Sequence, residues 1–190
     1  MKFIISPRIS SNLTQNEHEL LEKDMQMLGE FVKGTDTDIY VVGGVALGLT
    51  EGKFYRNPSD FDIAVFYNDL GNFCDHVESK GYGFVRKIGH THISPKYDLG
   101  IFSEIDSDQI KENNSHRYQR ILRKKSSPIQ KIDGRADLLD FYLLQDQGDK
   151  IYLMEYDISV PKEKFFPIQK HSLDNGTGLL VPNLEYRSYL

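Results

Sequence analysis

The sequence predicts an α/β (α+β) fold with a mixed sheet, flanking helices and a later part that is rich in hairpins. Two observations support this prediction. Helical and strand-like patterns alternate up to residue 88, and this order is typical of an α/β sheet. Beyond residue 138, two β-prone runs are separated by a short polar turn, as in a hairpin.

The bulk properties indicate one domain, 1–190, which is large enough to bury a core. A formal net charge of −5 argues against a nucleic-acid partner, because nucleic-acid binders usually carry a basic surface. Cys74 is the one cysteine, so no internal disulfide is possible, and we expect a reducing, cytoplasmic location. We also expect no membrane span, because no apolar run reaches the roughly 18 residues that a span needs.

The first helix is predicted over 16–33, and Gly34 follows it as a stop signal. Its apolar residues recur at helical spacing: Leu20, Leu21, Met25, Leu28, Phe31 and Val32. This helix precedes the first strand.

The first strand is predicted at the apolar run 39–42, which ends in Gly43 and Gly44. Glycines lack a β-carbon, so the backbone at this turn can approach a phosphate closely. The following residues, 45–49, are predicted to form a helix whose N-terminal N–H groups face the anion.

Two aspartates open the next strand. Residues i and i+2 of a strand point to the same face, so Asp60 and Asp62 project together while Phe61 and Ile63 enter the core. Magnesium prefers oxygen ligands and usually takes one or two carboxylates together with substrate phosphates. The pair therefore predicts a Mg²⁺ site for phosphate chemistry, with Mn²⁺ as the alternative ion.

The remaining elements follow the same rules. A helix is predicted over 69–80, ending at Gly81, and a strand over 82–88. The β-prone runs 138–144 and 151–154 then predict a hairpin.

The order of strand, glycine turn, helix, basic loop and D-x-D strand resembles the nucleotidyltransferase superfamily over about 39–66. The stretch from Arg56 to Asp62 is similar to the "R, two residues, S-D-x-D" form of small-molecule nucleotidyltransferases. The resemblance implies a nucleotidyltransferase-like sheet and a set of residues that bind the donor's phosphates: Gly43, Gly44, Ser59, Arg56 and Lys53. For the two cations the alternative is a solvated loop charge.

The resemblance also implies a third carboxylate on a later strand. Asp140 is favoured, because an aspartate immediately before an aromatic run is similar to this strand in the LicD and fukutin family. Asp137 fits a D-L-x-x-F-Y variant of the same strand, and Asp98 opens another short apolar strand. The sequence leaves all three open.

The C-terminal part strengthens the resemblance to the LicD and fukutin family. Segments 160–168 and 181–186 resemble that family's "P, two or three residues, F-P-L … v-P-n" tail. The family's usual W-D-D-D-x-D is here N-P-S-D-F-D, which is a departure. The alternative is ordinary packing of aromatic and proline residues over a sheet edge.

The resemblance implies a magnesium-dependent transferase in which Asp60, Asp62 and Asp140 are the catalytic and metal-binding residues. A LicD-like enzyme would move a phosphorylated group from a CDP-alcohol donor to a hydroxyl acceptor such as a glycan. A small-molecule nucleotidyltransferase would instead move a nucleoside monophosphate from a nucleoside triphosphate to an antibiotic, sugar or protein hydroxyl. A third possibility is an inactive module of the same fold that binds nucleotide or a partner protein.

Overall fold

The computed structural model describes residues 13–54, 58, 61–94, 97–112, 120–125, 138–173 and 176–183. Within these ranges the chain forms five α-helices and ten strands, and the strands belong to one mixed sheet. The prediction of an α/β fold with a mixed sheet is confirmed.

The helices are α1 (Gln15–Val32), α2 (Gly43–Glu51), α3 (Leu70–Ser79), α4 (Ser107–Glu112) and α5 (Lys162–Phe165). The strands are β1 (Tyr40–Val42), β2 (Asp62–Phe66), β3 (Tyr82–Ser94), β4 (Tyr97–Ile105), β5 (Arg120–Lys124), β6 (Leu138–Asp146), β7 (Lys150–Leu153), β8 (Ile158–Pro161), β9 (Gln169–Ser172) and β10 (Gly178–Val181).

The strand order across the sheet is β4-β3-β5-β6-β2-β1-β10-β9, and β7 pairs with both β6 and β8. Two pairings are parallel, β2 with β6 and β1 with β10, and the other described pairings are antiparallel. Both parallel pairings join strands that are far apart in the sequence. The centre of the sheet is therefore assembled by long-range contacts.

Helix α1 matches its predicted range to within one residue at each end. Its first turn is closed by a capping box: the Thr14 hydroxyl accepts from the Glu17 N–H at 3.3 Å, and the Glu17 carboxylate accepts from the Thr14 N–H at 2.7 Å. Gly34, with φ of 75°, follows the helix as predicted. The buried side of the helix carries Leu21, Met25, Leu28 and Phe31.

The two faces of the sheet have different cores. Ile63 and Val65 of β2 lie on the face that packs against helices α1, α2 and α3, which we call the helix face. Ala64, between them, lies on the opposite face, which we call the site face. A second apolar cluster covers part of the site face and includes Tyr40, Leu144, Ile151, Val160 and Phe165.

One later element, β3, differs from the sequence-based expectation. Strand β3 continues from the predicted end at residue 88 to Ser94, because its polar second half is paired along its length with β4. The two proline-containing segments of the tail pack together, since the Asn183 N–H donates to the Phe165 carbonyl at 2.9 Å. Ordinary packing is therefore sufficient to explain the tail pattern.

No helix in the described part of the chain has the length and apolar character needed to cross a membrane.

Candidate functional site

Asp62 and Asp140 lie side by side on the site face. Strands β2 and β6 are parallel and these two residues are register partners, so their side chains leave the sheet on the same side. Adjacent strands are about 4.8 Å apart, which brings the two carboxylates within reach of one ion. The Asp140 N–H donates to the Phe61 carbonyl at 3.0 Å and holds this end of the pairing. Both aspartates are partly buried.

Apolar residues flank the two carboxylates within the same row of the sheet. Val42 is the register partner of Asp62 on β1, and Ile121 is the partner of Asp140 on β5. Both are buried, at 7% and 4% exposure. Two negative charges placed side by side repel each other, more strongly where apolar neighbours exclude water, and a bound cation relieves this repulsion. The pair is therefore chemically suited to a divalent cation.

Gly43 lets the main chain pass directly against the Asp62 carboxylate. Strand β1 runs into α2 without a loop, and Gly43 makes the change of direction with φ of 66°. A β-carbon at this position would lie 2.8 Å from Asp62 Cγ and closer still to Oδ2. Only glycine fits at this contact. The contact places the N-terminus of α2 beside the Asp62 carboxylate. Gly44 is exposed, and a β-carbon there would meet nothing within 4 Å.

Tyr142 and Tyr156 complete the described part of the site. The Tyr142 hydroxyl donates to Asp62 Oδ1 at 3.1 Å. The ring of Tyr156 stacks on that of Tyr142, with centroids 5.6 Å apart and planes at 23°. Burial, followed by the negative charge of Asp62, raises the pKa of Tyr142 far above its ordinary value. The hydroxyl therefore stays protonated at neutral pH and acts as a donor.

The other predicted residues fall into two groups. Asp60, Ser59, Arg56 and the alternative Asp137 lie outside the described residues. Lys53 and Asp98 are described, and the structure does not bring either beside Asp62. Lys53 follows the C-terminal end of α2, about 13 Å along the helix from Gly43. Asp98 is on β4, at the edge of the sheet, with three strands between it and β2.

The described part of the chain contains no group of three or more histidine, cysteine or acidic side chains placed to hold a metal ion. Among the described residues, Asp62 and Asp140 are the two carboxylates that the sheet places side by side, and Asp60 lies outside those residues. Paired carboxylate oxygens fit a magnesium ion. Asp62 and Asp140 are the described residues that would hold it.

Sequence reasoning missed the role of the two tyrosines. The β-propensity of 138–144 predicts a strand there and by itself gives Tyr142 no separate significance. The signal was present, because Tyr142 follows Asp140 at i+2 and must share its face. Tyr156 carried no such signal, since it lies in the turn after β7 and reaches Tyr142 only in the folded chain.

No protein-family model and no curated protein sequence matches this chain.

Proposed function

We propose that the protein is a magnesium-dependent transferase that acts at phosphorus and resembles the LicD and fukutin branch of the nucleotidyltransferases. Its donor would be a nucleotide-activated compound, for which we favour a CDP-alcohol. Its acceptor would be a hydroxyl group, for example on a glycan. We place this activity in the cytoplasm, because a chain with one cysteine forms no internal disulfide and suits a reducing compartment.

The observation that carries the proposal is the pairing of Asp62 with Asp140 beside the N-terminus of α2. The two carboxylates come from parallel strands whose residues are 78 positions apart in the chain, so the sheet itself brings them together. A helix N-terminus attracts anions through its N–H groups and dipole. A cation site next to an anion site is what a metal-bound phosphate requires.

In the proposed reaction the acceptor oxygen attacks phosphorus in line with the leaving group. With a CDP-alcohol, a new bond forms between the acceptor oxygen and the phosphorus that carries the alcohol, and CMP leaves. The hydroxyl proton passes to a base at the site. Bound Mg²⁺ would supply charge neutralisation on the phosphate oxygens.

Each described residue has a defined task in this scheme. Asp62 would hold the cation, and Asp140 would either complete the cation site or accept the proton of the attacking hydroxyl. Gly43 leaves room for the Asp62 carboxylate and brings the first N–H groups of α2 towards the donor's phosphates. The protein accelerates the reaction by positioning and by electrostatics.

A second candidate is a small-molecule nucleotidyltransferase, in which the attack is on the α-phosphorus of a nucleoside triphosphate and pyrophosphate leaves. The R-x-x-S-D-x-D similarity favours it. The tail similarity favours the CDP-alcohol donor, although the Asn183 to Phe165 hydrogen bond gives that segment a packing role as well. The same carboxylates serve both reactions.

A thermal-shift panel of CDP-alcohols and nucleoside triphosphates, with and without Mg²⁺, tests the proposal. The variants are Asp62→Asn and Asp140→Asn, and the control is Asp75→Asn, which removes one negative charge from an exposed position on α3. A ligand at 100 times its Kd stabilises the folded state by about 2.7 kcal/mol. For a chain of this size that raises Tm by about 5–10 °C.

We expect a magnesium-dependent shift in the wild type and in Asp75→Asn, and its loss in both site variants. The ligand that gives the larger shift decides between the two donors. The proposal is wrong if no ligand gives a magnesium-dependent shift, or if the shift persists in Asp62→Asn and Asp140→Asn.

A further inference from the structure

The hydroxyl of Tyr142 has a specific partner, the Asp62 carboxylate. It donates to Oδ1 at 3.1 Å, while Oδ2 of the same carboxylate lies against Gly43. The two oxygens of Asp62 are therefore distinguished by the protein: one meets a phenol and the other meets the start of α2. A carboxylate held in this way has little freedom to rotate about its χ2 angle.

Tyr142 is itself held in place from two directions. It packs against the apolar cluster on the site face, and the ring of Tyr156 covers it. Tyr156 is anchored through its neighbour, because the Glu155 carboxylate accepts the Leu143 N–H at 3.0 and 3.2 Å. The Met154 N–H also donates to the Leu143 carbonyl at 3.1 Å. These hydrogen bonds hold the turn after β7 against β6, next to Tyr142.

We propose that Tyr142 is a positioning residue that orients the Asp62 carboxylate for a divalent cation, and that Tyr156 holds Tyr142 in the orientation that does so. The inference rests on the proposed cation site and adds to it the residues that set its affinity. Groups that hydrogen-bond to a metal ligand fix its orientation, and their removal typically weakens metal binding by about 10–100-fold. The hydrogen bond from Tyr142 to Asp62 is a contact of this kind.

Tyr142→Phe removes one hydroxyl and leaves the ring, its stacking on Tyr156 and its packing. We expect the dissociation constant for Mn²⁺, measured from the electron paramagnetic resonance signal of the free ion, to rise about tenfold. The matched control is Tyr40→Phe on β1. It removes a hydroxyl that donates to Asp38 at 3.4 Å, an exposed aspartate that precedes β1. We expect the control to bind Mn²⁺ as the wild type does.

The melting temperature measured without metal distinguishes a positioning role of Tyr142 from a general structural role. A general structural role would lower Tm in Tyr142→Phe without a selective change in Mn²⁺ affinity, whereas a positioning role changes the affinity of the folded protein. Tyr156→Leu is the second variant, because it keeps the Tyr142 hydroxyl and removes the ring that covers it. We expect this variant to bind Mn²⁺ more weakly than the wild type, with a smaller loss than that of Tyr142→Phe.

Equal Mn²⁺ affinity in the wild type and in folded Tyr142→Phe would overturn the inference and leave the proposed function standing. Full affinity in folded Tyr156→Leu would overturn the part assigned to Tyr156. If the wild type does not bind Mn²⁺ at all, the proposed cation site fails and the inference fails with it. The two failures are therefore distinguishable in one set of titrations.

Discussion

Replacement of Gly43 by alanine tests the close contact between α2 and Asp62, and Gly44 provides a control one residue away. The backbone at Gly43 has φ of 66°, and a left-handed conformation costs an L-residue about 1–2 kcal/mol. The added methyl group would also lie 2.8 Å from Asp62 Cγ. Overpacking of this kind costs about 1–3 kcal/mol. We therefore expect Gly43→Ala to lower the free energy of unfolding by about 2–5 kcal/mol.

Gly44→Ala introduces the same methyl group where the structure has room for it. A β-carbon at Gly44 meets nothing within 4 Å, and the residue lies in the first turn of α2. Alanine in a helix is favoured over glycine by about 0.5–1 kcal/mol, so this variant should be as stable as the wild type or slightly more stable.

Urea denaturation of the two variants, followed by circular dichroism, measures the difference. An unchanged m-value with a lower midpoint for Gly43→Ala would show a loss of stability within the same folded state. The reasoning is refuted if Gly43→Ala is as stable as the wild type, or if Gly44→Ala is destabilised equally. Either result would mean that the contact with Asp62 does not require glycine.

Three further predictions concern stability. Thr14→Ala removes the capping box of α1 and should lower the free energy of unfolding by about 1 kcal/mol, measured by urea denaturation. Burial lowers the pKa of His76 in the folded protein, so the unfolded chain binds more protons than the folded chain does. The free energy of unfolding should therefore fall as the pH drops below about 6.5. His76→Gln should weaken this dependence, measured as urea midpoints at pH 7.5, 6.5 and 5.5. Without metal, Asp140→Asn should melt at or above the wild-type temperature, because it removes repulsion with Asp62; a lower Tm would contradict the repulsion argument.

Local patterns predicted helices α1, α2 and α3 and six of the ten described strands. The short helices α4 and α5 and strands β5, β8, β9 and β10 were not predicted. Helices α1 and α3 were predicted to within one residue at each end, because apolar spacing and a following glycine are properties of neighbouring residues. The pairing of β2 with β6 could not be predicted, since nothing in either segment specifies a partner nearly 80 residues away. For that reason the sequence favoured Asp140 but left Asp137 and Asp98 open as alternatives, and Asp98 proves to lie on a distant strand.

The position of the two carboxylates is enforced by the core beneath them. Leu139, Phe141 and Leu143 alternate with Asp140 along β6 and are at most 1% exposed on the helix face. A shift of one residue in the pairing of β2 with β6 would turn Asp140 into that core and expose all three apolar side chains. Burial of each such side chain contributes about 1.5–3 kcal/mol, so the shift would cost several kcal/mol. The sheet therefore holds Asp62 and Asp140 side by side before any ion arrives. A divalent cation would therefore bind to two carboxylates that the fold has already placed together.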